Sequence, residues 1–252
     1  MRGVRFLLLS VLFIIAFGGC KVLYVSDADV EYKTVSEESA KEDAEVESLI
    51  APYREDLESS MNKVIGTLEV DLVKERPESN MGNWLVDIFY DEADAVSTEK
   101  LDFAVLNQGG LRLSSLTKGP ILRGEIFELI PFDNVVSVIE ASGAEVMLFL
   151  DHIAKGRGWP VSHQLKMEIK DGKAINVAIS DQAVDLSRTY RFAVPDYVAG
   201  GGSGSKMLLA MKRTDYDYVI RDLTIKHLIA SHQRKVTYAP TKDGRIKDLD
   251  HE

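Results

Sequence analysis

Apolar and charged positions alternate from Lys63 to Lys74, with Val64, Leu68, Val70 and Leu72 in phase. This period of two predicts a strand. Arg76-Pro77-Glu78-Ser79 follows as a turn, and Ser79 or Asn80 can cap the next helix. From Met81 to about Ala95 the period lengthens, placing Trp84, Leu85, Ile88, Phe89 and Ala93 on one helical face. Gly82 near its start suits close packing. Asp102-Phe103-Ala104-Val105-Leu106 is a buried-strand run. Arg123 to Ile130 predicts a short helix that delivers Pro131-Phe132, and Asn134 to Glu140 predicts a strand. Ser142 to Lys155 is a helix with Ser142 and Glu145 at capping-box spacing and Gly156 as its stop. His163–Ile169, Ala174–Ile179 and Tyr190–Val194 alternate as strands, the first two joined by a Lys170-Asp171-Gly172-Lys173 hairpin turn. Asp222 to Gln233 is a last amphipathic helix, before a strand-like Val236-Thr237-Tyr238 and a charged tail. Strands and helices interleave throughout, which predicts an α/β (α+β layered) fold.

The N-terminal pattern differs. Arg2 and Arg5 precede an apolar run from Phe6 to Phe17, broken only by Ser10, and Gly18-Gly19 follow. This is the order of an export signal. The run is shorter than the ~20 residues of a membrane span. Cys20, the one cysteine, stands where a bacterial lipoprotein box places its lipidated residue, although Phe17 replaces the more usual Leu. An ordinary secretory signal and an uncleaved anchor are the alternatives. Residues 1–19 are therefore expected to be a lipoprotein signal peptide, and 20–60 an acidic tether and helix. Residues 61–240 would form the domain, and 241–252 a charged tail. Within the tether, Ala40, Ala44, Val46, Leu49, Ile50, Tyr53, Leu57 and Met61 outline an amphipathic helix that Pro52 starts or kinks.

Net charge is −10, which argues against nucleic acid as a partner. Residues 21–60 alone hold twelve acids against four bases, so the acidity belongs mostly to the tether. A single cysteine excludes an intramolecular disulfide and a CxxC site. The five histidines, His152, His163, His227, His232 and His251, are scattered without the spacing of a bimetal centre. Gly200 to Lys206 fails both the phosphate-loop and the dinucleotide patterns.

The chemistry gathers at two strand ends. Asn107-Gln108-Gly109-Gly110-Leu111-Arg112 follows one strand, and Pro131-Phe132-Asp133-Asn134 precedes another. They supply amides, a guanidinium, a flat ring and glycines that let backbone approach a ligand. The first motif resembles the Asn-Gly-Gly-Gly-Ile-Arg of the C-terminal, substrate-binding domain of 5'-nucleotidases, and the second its Pro-Phe-Gly/Asp-Asn. Glu78-Ser79-Asn80-Met81-Gly82-Asn83 is similar to its Glu-Thr/Ser-Asn-x-Gly-Asn. Asp196-Tyr197-Val198-Ala199-Gly200-Gly201-Gly202-Ser203-Gly204 resembles its Asn-Phe/Tyr-x-Ala-x-Gly-Gly-Asp-Gly. The four occur in the family's order, over roughly residues 61 to 239.

The resemblance implies mixed sheets covered by helices and a nucleoside or nucleotide as ligand. Phe132 and Tyr197 would sandwich the base, Asn107 would read its edge, and Arg112 would contact ribose or phosphate. Gly109, Gly110 and Asn134 would complete the wall. Arg76 would stand in for a family arginine, displaced by one position because Pro77 occupies that slot. Ser203 replaces a family Asp that accepts both ribose hydroxyls, Gln108 replaces a Gly, and Ser205 replaces an aromatic residue. The family's metal-bearing phosphatase signatures are absent, so no cofactor is expected in this chain, and divalent metals only in a partner metallophosphatase chain. The expected protein is then the nucleotide-binding half of a 5'-nucleotidase-like phosphoester hydrolase of nucleotide catabolism. A lipid would anchor it to the membrane in the bacterial cell envelope. The alternative is a non-catalytic envelope binding or scaffold lipoprotein that has lost nucleotide recognition. Read singly, Phe132 and Tyr197 could be core, Arg112 a salt-bridge partner and Asn107 a turn cap.

Overall fold

A computed structural model describes Tyr32 and residues 43–251. The chain divides into a unit Met1–Ile50 and a unit Ala51–Glu252. Cys20, the signal run and the start of the tether lie outside the described residues. The tether helix, α1 (Ala44–Met61), runs through Pro52 and buries none of its residues. Its apolar positions Leu49, Tyr53 and Leu57 are all exposed.

The Lys63–Lys74 pattern yields two strands rather than one: β1 (Val64–Leu68) and β2 (Leu72–Val73). The break at Glu69-Val70-Asp71 has visible causes. The Asn80 side chain donates to the Asp71 carbonyl and accepts from Val73 N–H, and Asp71 Oδ1 accepts from Lys118 N–H. The chain thereby changes partner. β1 pairs with β5 (Gly119–Leu122), and β2 with β4 (Ser115–Leu116). The strand-like Val236–Tyr238 forms no strand, and Tyr238 alone bridges to Leu68 alongside β1.

Helix α2 (Asn80–Val96) is capped by Ser79, whose hydroxyl accepts from Gly82 N–H. Its predicted face is buried: Trp84, Leu85, Ile88, Phe89 and Ala93 pack into the first core cluster. A Cβ on Gly82 would lie 3.0 Å from Pro160, so this glycine serves packing. α3 (Arg123–Leu129) and α6 (Ile220–Gln233) close the same cluster.

One four-stranded sheet carries the site. Its order is β11 (Lys212–Val219), β6 (Val135–Ser142), β10 (Thr189–Pro195) and β3 (Phe103–Ala104). β3 runs parallel to β10, while β6 is antiparallel to both its neighbours. The C-terminal ends of β3 and β10 therefore meet the N-terminal end of β6 at one edge. Helix α4 (Gly143–Lys155), with the Ser142–Glu145 capping box formed, covers the second core cluster. A second mixed sheet follows the order β12 (Ile246–Asp248), β7 (Leu165–Lys170), β8 (Lys173–Ile179) and β9 (Gln182–Ala183).

The expected charged tail is instead part of the fold. β12 pairs in parallel with β7, and Arg245 and Asp248 are buried. Arg245 ion-pairs with Asp87 and Asp243 and donates to the Val161 carbonyl. Buried Glu78 accepts from Asn83 Nδ2 and from the N–H groups of Asp243 and Gly244. A burial-neutral charge count cannot separate such a locked segment from a solvated one.

Candidate ligand-binding site

Three loops build the site. In the first, the chain leaves β3 and makes a tight 3-10 turn, Gln108–Gly110. Asn107 precedes it without capping it through its side chain. Its amide instead donates to Ser203 Oγ at 3.1 Å, across 96 positions of sequence. A Cβ on Gly110 would sit 2.9 Å from Asn107 Oδ1, so a glycine there keeps the amide in place. Arg112 is tied by its backbone N–H to the Leu129 carbonyl at 2.8 Å. Its guanidinium lies 5.8 Å from the centre of the Phe132 ring, a cation–π distance.

The second loop, Pro131 to Asn134, connects α3 to β6. Arg221, at the start of α6, clamps it. Arg221 Nη1 donates to the Pro131 carbonyl at 3.0 Å, and Nη2 to Asp133 Oδ1 at 2.5 Å. The same guanidinium lies 4.3 Å from the Phe127 ring centre. Phe132 is thereby held 47% exposed.

The third loop leaves β10 at Pro195 and enters a single helical turn, α5 (Asp196–Ala199). Asp196 Oδ1 accepts from Val135 N–H at 3.1 Å, tying this loop to the start of β6. Tyr197 is 52% exposed, and its hydroxyl accepts from Ser203 N–H at 3.2 Å. The glycines have separate reasons. Gly201 and Gly204 take φ of 87° and 83°, and a Cβ on Gly202 would fall 2.5 Å from Tyr197. Ser203 itself sits at φ 53°. Its carbonyl meets His152 Nε2 at 2.9 Å, and His152 rests edge-on against Trp159 at 5.4 Å. Ser205 is buried and donates to the Val198 and Gly202 carbonyls.

The loops line an open cavity of about 300 Å³, formed by Asn107, Gly109, Gly110, Arg112, Phe132, Asn134, Tyr197 and Ser203. That volume is at the lower end of small-molecule sites. Two half-exposed aromatic faces and an arginine among amides suit a flat, polar, anionic ligand.

Arg76 is not among the lining residues. It donates to the carbonyls of Gly156 and Gly158, which fasten the end of α4, and so serves the scaffold. It borders a separate shallow cleft with Lys74, Gln108 and Arg112. Burial, and then the charges of Arg112 and Arg76, lower the Lys74 pKa. The Glu78–Asn83 motif is also structural: Glu78 binds the C-terminal segment, Ser79 caps, Asn80 splits the strands. Arg221 and His152 were the residues that sequence reading left unplaced. Arg221 follows a strand with little burial, and no local pattern links it to Pro131.

Fold and site together define an α/β domain whose candidate pocket stands at the strand ends of a mixed sheet. The chain belongs to the 5'-nucleotidase C-terminal domain family, whose model matches residues 64–210. A 5'-nucleotidase of Vibrio cholerae is 31% identical over 173 residues, covering 65% of this chain and 30% of that protein. Protein UshA of Escherichia coli is 31% identical over 172 residues, with 65% and 30% covered. The crystal structure of a 5'-nucleotidase precursor from Thermus thermophilus matches with a TM-score of 0.70 at 26% identity, over 85% of this chain and 45% of that one. The chain thus spans under a third of the length of these sequence relatives. Among the described residues, no group of three His, Cys, Asp or Glu is placed to hold a metal ion. No helix among them is long and apolar enough to cross a membrane.

Proposed function

We propose that this chain is the nucleotide- or nucleoside-binding half of a 5'-nucleotidase-like phosphoester hydrolase acting in nucleotide catabolism. A separate metallophosphatase chain would supply the metals and the hydrolytic water. The observation that carries the reading is that Phe132 and Tyr197, both about half exposed, line the same cavity. Large aromatic rings left half in water suit stacking, and a base stacked on an aromatic face contributes about 1–3 kcal/mol. Arg112 beside Phe132 would take a ribose or phosphate oxygen, and Asn107 and Asn134 the polar edges of the base. Of the two acids in these loops, Asp133 pairs with Arg221 and Asp196 accepts from Val135 N–H. The chain would be exported and held to the cell envelope through a lipid on Cys20.

The test is phosphate release from AMP with a divalent metal present. The purified chain should release none, and addition of the metal-bearing partner should start hydrolysis. Metal-dependent release by the pure chain would overturn the division of labour. A second reading, a scaffold lipoprotein without nucleotide recognition, draws on Ser203, whose hydroxyl is already engaged by Asn107.

A further inference from the structure

We propose that two copies of this chain pair edge to edge through β11, antiparallel, about a two-fold axis at Thr214. The pairing does not depend on what the cavity holds. β11 is the outer strand of its sheet and bonds β6 on one side only. Among the described residues, no backbone group bonds its other edge. Such an edge offers a row of N–H and C=O groups to another strand. The usual guards of an edge are weak here. Lys212 to Tyr216 pair with β6 without a break and include no proline, and the bulge falls beyond them, between Tyr216 and Val219. Lys212 is drawn back over β6 by Glu140, at 2.7 Å.

Charge along the strand selects a second copy as the occupant. Lys212 and Arg213 make a basic first half, Asp215 and Asp217 an acidic second half. Antiparallel pairing of the strand with itself sets each half against its opposite. Parallel pairing sets like against like. Directly paired residues send their side chains to one face, so a joined sheet that keeps its faces has its axis on a residue. An axis on Thr214 places Arg213 opposite Asp215 of the second copy, twice. An axis on Arg213 or Asp215 opposes that residue to itself, and one on Tyr216 opposes Asp215 to Asp217. Like charges directly opposite are destabilising, so the Thr214 register wins. Within one chain Arg213 donates to Asp215 Oδ1 through Nε, and the Nη groups are the ones that take the second carboxylate. Leu209 before the paired run and Tyr218 after it are both exposed. The same axis brings the Leu209 end of each copy to the Tyr218 end of the other, an apolar contact beside the ionic one. Five residues a side bury less than about 1,200 Å², the range of transient pairs.

The experiment is sedimentation equilibrium of the full chain in mild detergent. The wild type should pass from monomer to dimer with a midpoint at roughly 1–100 μM. Arg213→Glu and Asp215→Arg should each stay monomeric over that range. Their equimolar mixture should recover the dimer, because the mixed pair sets opposite charges against each other at both contacts. A monomeric wild type at about 100 μM would overturn the pairing, as would single variants that dimerise like the wild type. A mixture of two folded variants that stays monomeric would overturn the antiparallel register. Asp215 also accepts from the hydroxyl of buried Ser137, so if Asp215→Arg fails to fold, a cross-link that keeps this bond decides. Residues directly opposite in antiparallel strands lie at a spacing that a disulfide spans. In a Cys20→Ser background, Thr214→Cys should form an interchain disulfide on mild oxidation. Thr117→Cys, equally exposed but between β4 and β5, should not. No cross-link at Thr214→Cys, or the same yield at both positions, would overturn the proposal.

Discussion

Arg221 and Pro131 are 90 positions apart in sequence, yet the guanidinium of one fixes the loop of the other. Arg221 is almost wholly buried, stacked on Phe127, and bonded to both neighbours of Phe132. Arg221→Met keeps the stem and removes the clamp. It should lower stability by about 1–3 kcal/mol, as expected for lost bonds to a charged donor. It should also weaken nucleotide binding, although Arg221 lies behind the ring. Equal affinity in a destabilised variant would show that Phe132 is placed by other contacts. Gly202→Ala tests the opposite ring. The new methyl would meet both the Tyr197 ring and its carbonyl. Titration should show binding reduced in a chain that still melts cooperatively, and unchanged binding would mean that the Tyr197 ring need not stand where it does. These residues also mark how far the sequence was legible. Phe132, Tyr197, Asn107 and Arg112 sit in short motifs at strand ends, where local order already predicts proximity to a ligand. Arg221 and His152 act through contacts made only after folding, and no spacing rule announces such contacts. Arg76 shows the reverse case: a motif position alone does not fix where a long side chain points.

The elements read from periodicity were those with one buried face. α2 and α4 were legible because every turn buries a large residue. β11 was not, because it is an edge strand whose polar side chains face water on most positions. β12 was hidden for a different reason. Its charges looked like a solvated tail, but Arg245 is buried and paired with Asp87 and Asp243. Removing one member of a buried pair typically costs about 3–5 kcal/mol. Asp87 keeps some contact with water, so Arg245→Ala should cost nearer about 3 kcal/mol. At about 2–4 °C of melting temperature per kcal/mol for a chain of this size, calorimetry would resolve it. A shift below one degree would mean the segment is not locked. The same cluster sets a pH dependence. The hydrogen bond from Arg245 holds the Asp243 carboxyl below the usual aspartate range, despite partial burial. A depressed carboxylate stabilises the fold above its unfolded pKa, about 3.9, and that contribution is lost as pH falls through the lower folded value. Hydrogen exchange of residues 243–248 should therefore quicken below about pH 4 and stay flat from pH 5 to 7. Equal exchange at pH 3 and pH 6, after correction for intrinsic rates, would contradict this.

At the scale of the molecule, the family is settled by residues 64–210, and the match to the Vibrio cholerae relative covers 30% of that protein. The exposed apolar positions of α1, among them Leu49, Tyr53 and Leu57, leave this helix without buried packing of its own. The proposed lipid anchor on Cys20 gives a direct forecast. Cys20→Ser should move the chain from the membrane fraction to the soluble fraction of a bacterial host, and unchanged partition would rule out Cys20 as the anchor. The proposed function requires the Phe132–Tyr197 cavity to hold a nucleotide. Calorimetric titration of the full chain with AMP, beside Phe132→Ala, tests it most directly. Saturable binding by the wild type and a loss of about 1–3 kcal/mol in the variant are the expected result. Binding that is untouched by Phe132→Ala, or no binding by the wild type at millimolar AMP, would contradict it.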